Sequence, residues 1–237
     1  MVKIYQQSDT DSNESKKIER LCKAIKQMID SRLNCFILIV FVTITGIVTP
    51  SHAVEKPYHI VILGDSLSAG FGVEPEQAYP SLIQTRLKKT GREHIKITNA
   101  SISGSTTAGA LSRLKWFLRV EPDMLILALG ANDGLRGLSI NQMEQNLSAC
   151  IELAREKQIK IILAGMKIPP NYGHEYTRAF EQTFENLSKK YDLALIPFLL
   201  KDVAGRSDLN QADGIHPNAD GHKIIAQTVL ETILEQL

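Results

Sequence analysis

From His59 onward the sequence alternates short, nearly unbroken apolar runs with longer segments whose apolar residues recur at helical spacing. An apolar run without polar alternation needs cover on both faces, which is the situation of a strand inside a parallel sheet. An amphipathic segment between two such runs is the crossover helix that parallel pairing requires. The runs at 59–63, 95–99, 124–129, 160–164 and 193–196 are read as five strands. Helices are expected from Pro75 through Leu87, over 109–120, after Ser139 to Ala154, over 176–190 and over 219–237. Ser139 with Gln142 reads as a capping box, and Pro75 as a first helical residue. The pattern predicts an α/β fold, a three-layer α/β/α sandwich around a five-stranded parallel sheet. In such sheets ligands sit beyond the carboxyl ends of the strands, near the reversal of strand order.

The start of the chain reads differently. Residues 35–48, CFILIVFVTITGIV, are uncharged, short for a membrane span and suited to the apolar region of a signal peptide. Ser51-His52-Ala53 then offers small residues for cleavage after Ala53. A leader over 1–53 and one folded domain over 54–237 are expected. An uncleaved anchor is the alternative, its preceding Lys and Arg residues staying cytoplasmic. Translation from Met28 would give the leader more usual proportions. Either reading exports the domain to the periplasm or beyond, with no membrane insertion of the mature domain. Without residues 1–53 there remain 20 basic against 21 acidic residues, a balance that argues against nucleic-acid binding. Cys150 alone survives of three cysteines, so no internal disulfide is available, as suits a bacterial envelope. Its place on an apolar helical face predicts a buried, inert thiol.

Chemistry is sought in the strand-end loops: GDSLSAGFG, ASISGSTTAG, GANDGLRG, MKIPPNYG, and the DGIHPN segment before the last helix. The first could cradle a phosphate or present a nucleophile. A P-loop needs a lysine, yet none occurs between Lys56 and Lys88, and Pro75 falls where a dinucleotide fingerprint needs its third glycine. A flavin phosphate loop remains as an alternative. A serine nucleophile needs a base and a group to orient that base, and Asp213 with His216 offers both in one turn. Asn132 and the backbone at Gly104 and Ser66 could supply donors for a tetrahedral oxyanion, although Asn132 could equally cap a turn and Gly104 merely permit a positive φ.

GDSLS, the glycine of SISGST, GAND and DGIHP, in this order, resemble the four blocks of the SGNH (GDSL) hydrolase family over nearly the whole of 54–237. The resemblance implies a flavodoxin-like fold and ester or thioester hydrolysis without a cofactor or metal. It assigns Ser66 as nucleophile, His216 as general base and then acid, Asp213 as its orienter, and Ser66, Gly104 and Asn132 as the oxyanion hole. It also implies acyl-chain contacts from Ile168, Pro169 and Tyr172, with a packed loop that touches no substrate as the alternative. The expected substrates are small acyl esters or thioesters, including lysophospholipids, acted on by a monomer. A carbohydrate O-acetyl esterase, or a non-catalytic binding protein on the same fold, are the alternatives. Relatives often carry Gly-Gly-Asn-Asp and Ser-Gly-Asp-Thr where this chain has Ala131 and Ser105.

Asp65 is read as structural, since a neighbour of Ser66 in a tight turn points elsewhere. Asp133 and Arg136 are read as loop contacts. Asp213, His216, Asp220 and His222 are not expected to converge on a metal. His52, His59, His94 and His174 are placed outside the site, and Ser68 is given no role.

Overall fold

The computed structural model describes residues 16–32 and 57–237, and in it all five apolar runs are strands: β1 (Tyr58–Gly64), β2 (Ile95–Asn99), β3 (Met124–Ala128), β4 (Lys160–Ala164) and β5 (Ala194–Ile196). They pair in parallel in the order β2-β1-β3-β4-β5. Ile60 to Leu63 of β1 and Met124 to Leu127 of β3 are fully buried, which explains why these runs carry no polar alternation. Strand order reverses at β1, and the register sets Ile62 beside Asn99 and Gly64 beside Ala128. The loops after β1, β2 and β3 therefore leave the same edge of the sheet, side by side.

The helices are α1 (16–32), α2 (Ser66–Ala69), α3 (Tyr79–Lys89), α4 (Ala110–Phe117), α5 (Ala131–Leu135), α6 (Ile140–Glu156), α7 (His174–Tyr191) and α8 (Ala219–Gln236). On one face α3 lies along β2 and against α8, which also meets β4 and β5. On the other, α4, α6 and α7 cover β1, β4 and β5. The sheet with a helical layer on each face is the three-layer sandwich. By contact density the chain divides into Met1–Val54 and Glu55–Leu237. In the first unit α1 is exposed along its length, carries a Lys23–Glu19 ion pair at 2.9 Å, and contains Met28. The apolar run at 35–48 and Ser51-His52-Ala53 lie outside the described residues. No helix among the described residues is long and apolar enough to cross a membrane.

Three local expectations are corrected. The helix expected at Pro75 starts at Tyr79: Pro75–Gln77 form a separate 3-10 turn, and Ala78 is extended at φ −63° and ψ 140°. Pro80 explains the break, because it has no N–H to give and its ring excludes the carbonyl four residues back, so it fits only in a first turn. Ser139 does cap α6, accepting from the Gln142 N–H at 3.3 Å, but the Gln142 side chain turns to Asn146 and leaves the box half made. The reciprocal box occurs instead at Glu74 and Gln77. The helix expected over 109–120 is α4 flanked by 3-10 turns at Thr107–Gly109 and Leu118–Val120.

α5 fits against α7 because Gly134 has no side chain. A Cβ there would stand 2.6 Å from Phe180 and 2.7 Å from Ile168, closer than carbon atoms approach. Gly134→Ala is expected to lower unfolding stability by about 1–3 kcal/mol through overpacking, read as a lower urea midpoint at an unchanged slope.

Candidate active site

Ser66 opens α2 one residue after the turn out of β1. Asp65 caps that helix, its Oδ1 accepting the Leu67 N–H at 3.1 Å. The helix ends after one turn because Gly70 adopts the left-handed conformation, φ 79°, which a glycine enters without strain. Ser66 is thus held at the carboxyl edge of the sheet by hydrogen bonds on both sides.

His216 arrives from the far end of the chain. Its Nε2 lies 3.0 Å from Ser66 Oγ and its Nδ1 lies 2.7 Å from Asp213 Oδ2. Asp213 is an acceptor only, so Nδ1 carries the proton and Nε2 accepts from the serine hydroxyl. Asp213 is itself oriented, because its Oδ1 takes the N–H of Ile215 at 2.9 Å and of His216 at 3.0 Å. These hydrogen bonds, the one from the His216 backbone foremost, lower the Asp213 pKa to about 2. The Phe71 ring covers the imidazole, centroid to centroid 4.7 Å. The loop is pinned by Gln211, whose Nε2 donates to the carbonyls of Phe71 and Pro217, and by Asn218, which caps α8.

Asn132 is the second residue of α5, and its Nδ2 donates to Asp65 Oδ2 across 3.4 Å. Gly104, at φ 77°, is fixed by Arg136, whose Nη2 donates to its carbonyl at 2.9 Å. Among the described residues neither the Ser66 N–H nor the Gly104 N–H is given to a protein acceptor. The fold thus brings Ser66, Asp213, His216, Gly104 and Asn132 to one edge, with Asn132 tied to the serine turn through Asp65.

The model of the GDSL-like lipase/acylhydrolase family matches residues 62–224, the stretch from β1 into α8 that holds all of these groups. The chain belongs to that family. It is 39% identical to Esterase TesA of Pseudomonas aeruginosa over 175 residues, 73% of this chain and 87% of that one. Thioesterase 1/protease 1/lysophospholipase L1 of Escherichia coli K12 is 36% identical over 168 residues, 70% of this chain and 79% of that protein. The solved structure of the psychrotrophic esterase EstA from Pseudoalteromonas sp., inhibited by monoethylphosphonate, superposes with a TM-score of 0.72 at 37% identity, covering 75% of this chain and 97% of that one. This chain is accordingly an SGNH ester hydrolase, and its fold is the one these relatives share.

A cleft of about 660 Å³ opens beside Ser66. Beyond the polar groups its walls are Leu67, Leu135, Met166, Phe198, Leu200 and Ile215, with Ile168 and Pro169. Tyr172, expected here with Ile168 and Pro169, is not among the wall residues, and its hydroxyl donates at 2.7 Å to the carbonyl of Leu135, which is. Sequence reasoning missed the wall contributed by Phe198 and Leu200. The only signal was the PFLL that follows β5, where no helix or strand period marks a purpose.

Other residues have structural tasks. Ser68 does have one: it is fully buried, its hydroxyl 2.7 Å from the Tyr79 hydroxyl, and its carbonyl accepts from Asn99. Behind it, buried His222 accepts the Tyr79 N–H at 3.3 Å, and burial lowers its pKa to about 4, so the ring is neutral. His222 therefore faces the core, while Asp220 pairs with Lys223 in solvent. Asp133, also buried, binds the N–H and hydroxyl of Thr107. Arg113 donates to the carbonyls of Gly64 and Ala100 and joins the ends of β1 and β2. His59 is held by the Val120 carbonyl at 2.7 Å, at the opposite edge of the sheet. Cys150 is buried, its thiol pushed up to about 12 by that burial.

Asp65 is 1% exposed, and burial raises its pKa to about 6 against the opposing pull of the Leu67 N–H and of His216. A carboxyl that holds its proton more tightly folded than unfolded loses stability as the pH rises between the two pKa values. The wild type is expected to lose on the order of 2 kcal/mol relative to Asp65→Asn between about pH 4 and pH 7, measured by urea unfolding at both pH values. A constant difference between the two proteins would contradict a buried ionising Asp65.

Proposed function

We propose that the chain hydrolyses carboxylic esters and thioesters of medium to long acyl chains through a Ser66–His216–Asp213 triad and an acyl-enzyme. The observation that carries this reading is the unbroken hydrogen-bond path from Asp213 through His216 to Ser66, set at the mouth of an apolar cleft. Ser66 Oγ attacks the carbonyl carbon while His216 Nε2 takes its proton, and Asp213 supports the imidazolium that forms. The negative charge that develops on the carbonyl oxygen is met by the N–H groups of Ser66 and Gly104 and by the Asn132 amide. As the intermediate collapses, His216 gives its proton to the departing alcohol or thiol. Water then attacks the acyl-enzyme, losing a proton to His216, which returns it to Ser66 as the carboxylic acid leaves. No cofactor takes part in this sequence.

The acyl group is assigned to the cleft wall of Met166, Ile168, Pro169, Phe198 and Leu200. An apolar wall of this extent gains free energy with each methylene it covers, about 0.8 kcal/mol per buried CH₂, whereas an acetyl group would leave it empty. The relatives support the same class: one is named an esterase and another a thioesterase and lysophospholipase. Export to the bacterial periplasm by the leader belongs to the same proposal.

Ser66→Ala and His216→Ala are each expected to lower kcat for p-nitrophenyl esters at least about 1,000-fold, and Asn132→Ala about 100-fold, with circular dichroism unchanged. A fluorophosphonate should label Ser66 of the wild type stoichiometrically. Along a series from acetyl to palmitoyl esters, kcat/KM should rise with chain length until the cleft is filled. Hydrolysis of acetyl esters alone would overturn the acyl assignment in favour of deacetylation, and absence of labelling would overturn catalysis by Ser66.

A further inference from the structure

Five of the eight large apolar side chains that the described residues of the unit 55–237 leave in water lie on loops at one end of the sheet. Phe71 after β1, Ile102 after β2, Leu138 after β3, Tyr172 after β4 and Ile215 before α8 are 36–57% exposed. Beyond these only Trp116 on α4 and Leu234 and Leu237 at the end of α8 are exposed to this degree among the described residues of the unit. Single exposed apolar residues are ordinary on a protein surface, but five of them on the loops at one end of a sheet form a set that marks a contact. Ile215 lines the cleft, and Ile102 lines a separate shallow groove with Trp116.

The five positions fall into two linked groups at this end of the sheet. Phe71 lies against His216, and Ile215, its chain neighbour, lines the opening. Arg136 reaches from the loop before Leu138 to the carbonyl of Gly104, two residues beyond Ile102. Tyr176 donates to the Leu138 carbonyl at 2.7 Å and stands 6.4 Å from Tyr172. Charges of both signs stand here. Asp65 and Asp133 are buried, and Asp213 is exposed but held by His216 and two backbone N–H groups. Glu74 and Glu76 are exposed beyond Phe71, and Arg136 and Lys167 are the exposed cations beside the cleft and the Gly104 loop. Lys167 shares its charge with Glu181 at 3.3 Å, and Arg136 donates to the Gly104 carbonyl.

We propose that this rim docks on a phospholipid surface, with the apolar side chains entering the headgroup layer and Arg136 and Lys167 meeting phosphates. The cleft then opens onto the lipid, and an acyl chain passes from bilayer to cleft wall without crossing water. This rests on the acyl-hydrolase reading for its purpose, though docking itself does not require catalysis. A rim of this kind gives reversible attachment whose strength grows with anionic lipid and falls with salt.

The test uses the full chain. Trp116 is its single tryptophan, so Trp116→Phe provides a silent background for one reporter at a time. Leu138→Trp places the reporter on the rim. Leu234→Trp places it near the opposite edge, where the Gln236 carbonyl meets Lys160 at the start of β4. With vesicles of acyl-brominated phosphatidylcholine and phosphatidylglycerol, fluorescence at position 138 should fall at least about twofold and that at 234 should not. Attachment through the leader alone would not distinguish the two positions. In a second arm, the Ile102→Asp/Leu138→Asp double variant should hydrolyse p-nitrophenyl butyrate in solution within about twofold of wild type. Its release of fatty acid from lysophosphatidylcholine held in those vesicles should fall at least about fivefold. Equal or absent quenching at 138 and 234, or a fall of both hydrolysis rates together, overturns the docking. A wild type inactive on p-nitrophenyl butyrate would overturn the hydrolase reading alone, since quenching would still report on the surface.

Discussion

A contact of 3.0 Å joins Ser66 Oγ to His216 Nε2 across 150 positions of sequence, and it holds only where both ends of the chain are fixed to a fraction of an ångström. The serine end is fixed by β1, which pairs with strands on both sides and whose core residues are fully buried, so the turn that follows it has little freedom. The histidine end depends on α8. This helix packs on α3, and Gly221 in its first turn lets it approach the Leu209 carbonyl, where any side chain would collide. Asn210 and Pro217 then bridge the two limbs of the loop that carries Asp213 and His216. Packing energy gained far from the site is what holds the hydroxyl and the imidazole in line.

The electrostatics follow from the same turn. Asp65 caps α2 from a position with almost no solvent, and its charged form is disfavoured by that burial. Its carboxylate also gives the Asn132 amide a partner, leaving the second N–H of that amide for another acceptor. Asp213, at the surface, is in the opposite condition: three hydrogen bonds favour its charge, and it remains ionised down to about pH 2. Two aspartates close to one histidine are thus driven apart in acidity by burial in one case and by donated hydrogen bonds in the other. Arg113, bridging the carbonyls of Gly64 and Ala100, keeps the edge from which both loops depart rigid.

The sheet was legible in the sequence because strands covered on both faces leave long apolar runs, and the strand-end loops were legible because they follow directly from those runs. The residues brought together at the edge were readable for a related reason. GDSLS, SISGST and GAND place polar and small residues where a strand stops, and DGIHP places them before the last helix, which core packing alone does not require. What was not legible lies where local pattern competes with neighbours distant in sequence. Pro75 satisfied a rule for a helix start, but Pro80 imposed the stricter one. Gln142 had the spacing of a capping box, but its side chain extends along the helix and donates to Asn146 instead of accepting the Ser139 N–H. Ser68 looked like a spare hydroxyl because Tyr79 and Asn99, which bind it, come from elements whose approach no spacing reveals. The bond from Tyr172 to the Leu135 carbonyl, 37 positions away, is equally beyond any local spacing.

The cleft and the exposed rim have a common cause in the topology. Parallel strands joined by helices bring every strand-to-helix loop to the same edge, so the end that gathers the polar groups also gathers whatever apolar side chains those loops carry. Part of this apolar set is turned inward as Ile168, Phe198 and Leu200, and part is left outward as Ile102 and Leu138. An acyl substrate needs both, because its chain must leave one apolar medium before it enters another. A small acetyl ester in water needs neither the inward wall nor the outward rim. The inward wall, whose Ile168 and Leu200 also belong to the buried core, and the outward rim are the two features on which the proposed acyl reading rests.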